Sequence, residues 1–231
     1  MRTLGLLGGM TWHSTVDYYR LINEGIHERL GGSHSAEMVL LSVDFGPVEA
    51  LQERGDWAAM GRIMAAAARR LEAAGAAGLV ICANTMHRLA DDVTAVVRIP
   101  LLHIADATAA EVKKRGLRRV GLLGTRYTME LDFYRGRLES KHGLTVVVPE
   151  EPGRTTVHEV IYKELGLGIV REESRRAYVA VIEDLGRRGA EGVILGCTEI
   201  PLLVRPQDSP LPVFDTTALH AAAAIDFALS G

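Results

Sequence analysis

Along the chain, short aliphatic and β-branched runs alternate with longer amphipathic stretches that are rich in Ala and Arg and bounded by glycine. This alternation is the signature of an α/β protein, and it predicts strands joined by helices in mostly parallel sheets. The helical stretches keep a polar face. The run REESRR at Arg171 to Arg176 reads as the solvated side of one such helix, and Asp106 and Asp215 stand where helices should begin, as N-caps.

The pattern also repeats itself. LGLLG at Leu4 to Gly8 returns as VGLLG at Val120 to Gly124, a shift of 116 positions. GAAGLVICA at Gly75 to Ala83 returns as GAEGVILGC at Gly189 to Cys197, a shift of 114, and Pro100-Leu101-Leu102 returns as Pro212-Val213-Phe214, a shift of 112. A second strand is expected in each half, over Met38 to Phe45 and Thr145 to Glu150. A period this long exceeds that of solenoid repeats and indicates two copies of one βαβ-rich domain. The expected architecture is two similar α/β domains related by a pseudo-twofold axis. The first spans 1–103 plus 212–231, the second 104–211. Ligands of open parallel sheets bind beyond the carboxyl ends of the strands, so the active site is expected in the cleft between the two domains.

Composition narrows the function. The 231 residues are 48% hydrophobic, with 26 Lys and Arg against 29 Asp and Glu, a net charge of -3 and no long block of one sign. That argues against nucleic acid as a partner. No apolar run has the length of a membrane span or of a secretory core, so neither a membrane nor export is expected, and the default location is cytoplasmic. The two cysteines, Cys82 and Cys197, cannot form a disulfide framework or a zinc-ligand spacing, and both are expected as free thiols.

A cysteine after an aliphatic run is commonly a small buried hydrophobe. Cys197 has a different context, because it follows VILG at the carboxyl end of a strand, comes after a permissive glycine and precedes Thr198 and Glu199. In the internal alignment Ala83 occupies the position of Cys197, while Cys82 aligns with Gly196 and should point to the opposite side of its strand, as a structural residue. Gly8-Gly9-Met10-Thr11 after the first strand is either a tight strand-to-helix turn or a set of backbone N–H groups for an anion. It matches no phosphate-binding loop. His13, His87, His103 and His220 are scattered without a ligand pattern, so they read as ordinary polar or capping residues and no metal is expected.

Four motifs, GLLGGM near the start, ANTMH at Ala83 to His87, LGT at Leu123 to Thr125 and GCTE at Gly196 to Glu199, together resemble the aspartate/glutamate racemase family, and the resemblance extends over essentially the whole chain. LINEGIHERLGG, HIADAT, GTRYTMELDFYRGRL and PVFDTTALHA are similar to its branch of broad-specificity and acidic amino-acid racemases. The resemblance implies a cofactor-independent isomerase without pyridoxal phosphate or metal, acting on a small amino acid and usually a homodimer. In such enzymes two thiols flank the α-carbon, one removing a proton from one face while the other supplies a proton to the opposite face. Each thiol would be activated by its surroundings, since a free one titrates near about 8.5. By position, Asn84, Thr85, Thr198 and the turn at Gly9 and Met10 are the candidates for holding the substrate's α-carboxylate and amino group, Gln52 is expected to line the pocket, Thr125 and Lys163 are candidates for the distal carboxylate, and Glu199 is a further substrate-binding candidate.

The sequence departs from that pattern at one decisive place, because Ala83 stands where the first catalytic cysteine belongs. Three readings follow. Cys197 alone serves as the acid/base in racemising aspartate or glutamate. Alternatively, the chain is a decarboxylase-like enzyme that needs only one proton donor, as the related arylmalonate decarboxylases do, or a catalytically impaired amino-acid-binding protein.

Overall fold

The computed structural model describes residues 1–230, which fold as two compact α/β units. The first comprises Met1–Ile104 and the chain from His220 onward. Its sheet contains β1 (Leu4–Gly8), β2 (Met38–Ser42), β3 (Gly78–Ile81) and β4 (Leu101–Leu102), in the order β2-β1-β3-β4, with every pairing parallel. The second unit, Ala105–Leu219, has β5 (Arg119–Gly124), β6 (Thr145–Val147), β7 (Gly192–Gly196) and β8 (Val213–Asp215), in the order β6-β5-β7-β8, again parallel throughout.

The repeat seen in sequence is therefore a repeat of topology and register. Leu4 lies opposite Gly78 in the first sheet and Val120 opposite Gly192 in the second, which preserves the offsets between the repeated segments. The inner strands β1, β3 and β7 are buried along their whole length, as parallel strands covered on both faces must be. The second strands are shorter than expected. In the first unit Asp44 ends the run by accepting from Gly46 N–H at 3.2 Å, which caps the helix Phe45–Glu53.

The expected domain limits are corrected in one stretch. Residues 212–219 belong to the second unit, not the first, because β8 pairs with β7 through Val193 opposite Val213 and Leu195 opposite Asp215. The chain crosses between units after Ile104 and after Leu219. Asp215 caps the helix Thr216–Leu229 as expected, accepting from the N–H groups of Thr217 and Ala218 at 2.9 and 3.1 Å. Asp106 is not a cap. It lies inside the helix Ile104–Lys114 and accepts from both Nε and Nη2 of Arg137, from Lys141 Nζ and from His142 Nε2, all within 2.8 Å. Burial alone would raise its pKa, but these donors outweigh it and hold the carboxyl far below the ordinary range.

Two hydrophobic layers cover the first sheet, and the pleat sorts residues between them. Leu7, Leu79, Ile81 and Ala83 pack with Met60, Met64 and Leu71 on one side. Leu4, Leu6, Val80 and Cys82 pack with Tyr18, Ile22 and Ile26 on the other. Cys82 thus faces away from Ala83 as expected, fully buried, with its thiol pushed up by desolvation.

Histidines that look scattered in sequence meet in this unit. The rings of His103 and His220 lie 4.6 and 5.4 Å from that of His87, and all three are buried. His220 Nε2–H donates to Leu102 O at 2.7 Å, while its Nδ1 accepts from Tyr18 Oη–H at 2.8 Å. His87 Nδ1–H donates to Ala83 O at 2.8 Å, and its Nε2 accepts from Ile104 N–H at 3.2 Å. These partners fix both rings as neutral tautomers that tie the ends of β3 and β4 to the surrounding helices.

Burial lowers the pKa of His220 to about 4. Unfolded, the same residue binds a proton below about 6.5, so stability falls as the pH drops from there toward the folded value. The loss expected from this one group is roughly 3 kcal/mol. Urea unfolding at pH 7 and near pH 4 measures it. His220→Gln, which retains a donor and an acceptor but does not titrate, should lose clearly less stability over the same interval, and an identical loss would refute the assignment.

Candidate active site at the strand ends

Ala83 and Asn84 follow β3, and Cys197 and Thr198 follow β7, each at the carboxyl end of an inner strand. In the first unit the turn after β1 is packed too tightly for side chains. Gly9 has φ +95°, and an added Cβ would lie 2.2 Å from Val43 O. Its N–H donates to Thr15 Oγ1 at 2.8 Å, so the expected use of the Gly9 amide for an anion is corrected to an internal bond. Met10 is buried and packs with the core layer that holds Ala83.

After β3 come Ala83 and Asn84, both buried, and the half-buried Thr85, which opens the 3-10 turn Thr85–Leu89. This turn is held from two sides. Ser14 Oγ–H donates to Cys82 O at 2.5 Å, and His87 grips Ala83 O as described. Gln52 is buried on the helix Phe45–Glu53.

In the second unit β7 ends at Gly196, where an added Cβ would come 2.7 Å from Leu123 O, so only glycine fits beside β5. The next residue is Cys197, partly exposed. Its thiol donates to Glu199 Oε2 at 2.9 Å, and the same oxygen accepts from Thr198 Oγ1–H at 2.7 Å. The short helix Ile200–Leu203 follows at once, with Ile200 N–H bonded to Cys197 O at 3.2 Å.

Three expectations change here. Glu199, assigned to the substrate, turns toward the thiol instead. Thr125 caps the helix Arg126–Glu130, accepting from Thr128 N–H at 3.4 Å. Lys163 ends the helix Gly153–Lys163, with a side chain 70% exposed and paired with Glu159 at 2.8 Å. The thiol's electrostatics are also the reverse of those expected. Desolvation, then the Glu199 charge, raise the pKa of Cys197 well above the ordinary thiol value, and backbone hydrogen bonds offset this only in part. At neutral pH Cys197 keeps its proton.

The link between Cys197 and Glu199 was missed in sequence, although a carboxylate two residues beyond a strand-end cysteine could have signalled it. Nothing local signals the His87, His103 and His220 cluster, whose members come from distant segments.

The duplicated, parallel α/β architecture is the two-domain fold of the Asp/Glu racemases. The chain belongs to the Asp/Glu/hydantoin racemase family, whose family model matches residues 7–224, and its class is that of the isomerases. The crystal structure of a candidate Asp/Glu racemase from Yersinia pestis is 54% identical over 100% of both chains, with a TM-score of 0.95. An aspartate racemase homologue from Pyrococcus horikoshii OT3 is 37% identical over 99% of both, with a TM-score of 0.86. The glutamate racemase of Synechococcus sp. (strain CC9605) is 32% identical over 127 residues, 54% of this chain, and the match spans 45% of that relative.

The thiol's state is open to direct measurement. Glu199→Gln removes a negative charge beside Cys197 and should lower its pKa, so alkylation by iodoacetamide at pH 8 should accelerate by up to about tenfold for each unit recovered. Buried Cys82 should stay unmodified in the folded protein. An unchanged or slower rate at Cys197 would contradict the carboxylate's influence.

Proposed function

We propose that this protein is a cofactor-independent racemase of acidic amino acids, aspartate or glutamate, in which Cys197 is the single thiol acid/base. The observation that carries the reading is the Cys197–Glu199 hydrogen bond of 2.9 Å at the end of β7. The substrate class is supported by the relatives, one an aspartate racemase homologue and another a glutamate racemase.

In this mechanism Glu199 accepts the thiol proton, giving a thiolate and a carboxylic acid. The thiolate removes the α-proton of the substrate, and its electron pair becomes a carbanion delocalised into the α-carboxylate. Asn84, Thr85 and Thr198, with the turn at Met10, are the proposed donors that stabilise this charge. Gln52 is the proposed lining of the pocket. Ala83 has no proton to give, so water reprotonates the opposite face, and the hydroxide it leaves takes the proton held by Glu199, which returns the pair to its starting state. Exchange of the α-proton with solvent is therefore faster for one enantiomer, which by likeness to two-thiol racemases is the L-form.

A protonated thiol is also a ready acid, and this favours a second reading as a decarboxylase of malonate-like acids, in which Cys197 protonates the carbanion left by CO2 loss. The free thiols suit a cytoplasmic setting. A homodimer is supported by the helix Trp12–Leu30, whose Trp12, Val16 and Tyr19 lie exposed on one face at i, i+4 and i+7.

The test is proton NMR of L- and D-aspartate and L- and D-glutamate in deuterated buffer with the protein. An α-proton signal lost from an L-form well before its D-form supports one-thiol racemisation, and Cys197→Ser should abolish the loss. Ala83→Cys should restore exchange of the D-form. Exchange that persists in Cys197→Ser would overturn the mechanism, and CO2 release from a malonate without any α-proton exchange would favour the second reading.

A further inference from the structure

A cavity of about 280 Å³ opens in the second unit, lined in part by Leu195 and Pro201, which stand on either side of Cys197 in the chain. Its apolar floor includes Leu195 of β7, Val213 and Phe214 of β8, and Val204 just after the helix Ile200–Leu203. Two guanidinium groups, Arg115 and Arg205, complete the wall.

The charges around it are unequal in their freedom. Arg115 stacks on the Phe214 ring at 4.9 Å and gives its Nε–H to Glu111 at 2.9 Å, so it is anchored and largely neutralised. Asp215 also lines the cavity, but its Oδ1 serves the N–H groups of Thr217 and Ala218 at the start of the following helix. Arg205 is exposed, its backbone N–H donates to Asp208 Oδ2 at 3.0 Å, and Asp208 pairs with Arg175 at 3.9 Å, while the Arg205 guanidinium forms no ion pair among the described residues. Among the lining residues two guanidinium groups stand against the one carboxylate of Asp215, and the exposed Arg205 sits beside the apolar residues.

We propose that this cavity is a second binding site, for a small carboxylate with a branched or aromatic body, which lays its apolar part on Val204, Val213 and Phe214 and its charge against Arg205. The volume is close to the lower bound of about 300 Å³ for small-molecule sites, which limits the ligand to one such group. Charge-assisted hydrogen bonds to a guanidinium favour the carboxylate over a neutral analogue. Occupancy reaches Cys197 through the chain itself. Leu195 precedes the thiol by two residues, and its carbonyl accepts from Thr216 Oγ1–H at 2.9 Å. Pro201 and Val204, also in the wall, follow the thiol by a few residues. A ligand that spreads or tightens this wall moves both flanks of the Cys197–Glu199 turn.

Methyl NMR of the full chain labelled at Leu and Val tests the site without reference to catalysis, using 3-phenylpropionate as the probe and 3-phenylpropan-1-ol as its neutral counterpart. The expected result is saturable shifts of the Val204 and Val213 methyls with the acid. Binding should be at least about tenfold weaker for the alcohol, and for the acid with Arg205→Ala, which keeps the backbone N–H bonded to Asp208. Backbone amides of Cys197 to Glu199 should shift with the same saturation curve. Shifts that do not saturate, equal affinity for acid and alcohol, or full binding by Arg205→Ala would overturn the proposal. Because the readout is binding, it stands or falls apart from the racemase reading, which the α-proton exchange measurement decides.

Discussion

A parallel strand buried on both faces has no room for polar groups along its length, and the molecule is organised around this constraint. The side chains of β1, β3 and β7 are apolar or absent and pack into layers above and below. Polar chemistry is displaced to the ends, where the chain leaves the sheet and backbone groups lose their ladder partners. Ser14, His87 and Thr15 satisfy these groups in the first unit, and Thr198, Glu199 and Thr216 are the polar residues at the same level of the second. The two units thus share a scaffold and differ in what stands at its edge. One presents an alanine under a gripped carbonyl, the other a thiol beside a carboxylate.

That difference gives the site its character. A thiol in a partly buried, anionic setting keeps its proton, whereas reactive thiols usually sit near cations or helix N-termini that favour the thiolate. Glu199 opposes ionisation of the thiol into solvent, yet it is also the nearest acceptor for the same proton. In the proposed mechanism the pair generates a thiolate without net loss of a proton, by internal transfer over 2.9 Å.

Much of the fold could be read from the chain, because a repeat that preserves the order of three strand segments also preserves their register. Leu4 opposite Gly78 and Val120 opposite Gly192 show the same geometry twice. The limit at residue 212 could not be read, since whether β8 joins one sheet or the other depends on a pairing with β7 that leaves no local mark. At the strand ends, the position of Cys197, its alignment with Ala83 and the opposite face taken by Cys82 followed from alternation and alignment. Side-chain direction did not. Glu199 could have faced outward, Lys163 has a long enough stem to reach many partners, and Thr125 is suited equally to capping and to binding. His87, His103 and His220 have the same explanation, because only the folded chain brings their segments together.

The central claim is that Cys197 and Glu199 exchange one proton as a unit, and the pH dependence of α-proton exchange on L-glutamate measures it most directly. An internal transfer leaves the protonation of the pair unchanged, so the rate should be flat between about pH 6 and pH 9, while in Glu199→Gln it should rise about tenfold per unit as the thiol ionises into solvent. A rate that climbs with that slope in the unaltered protein would contradict the account, because Cys197 would then be ionising without Glu199.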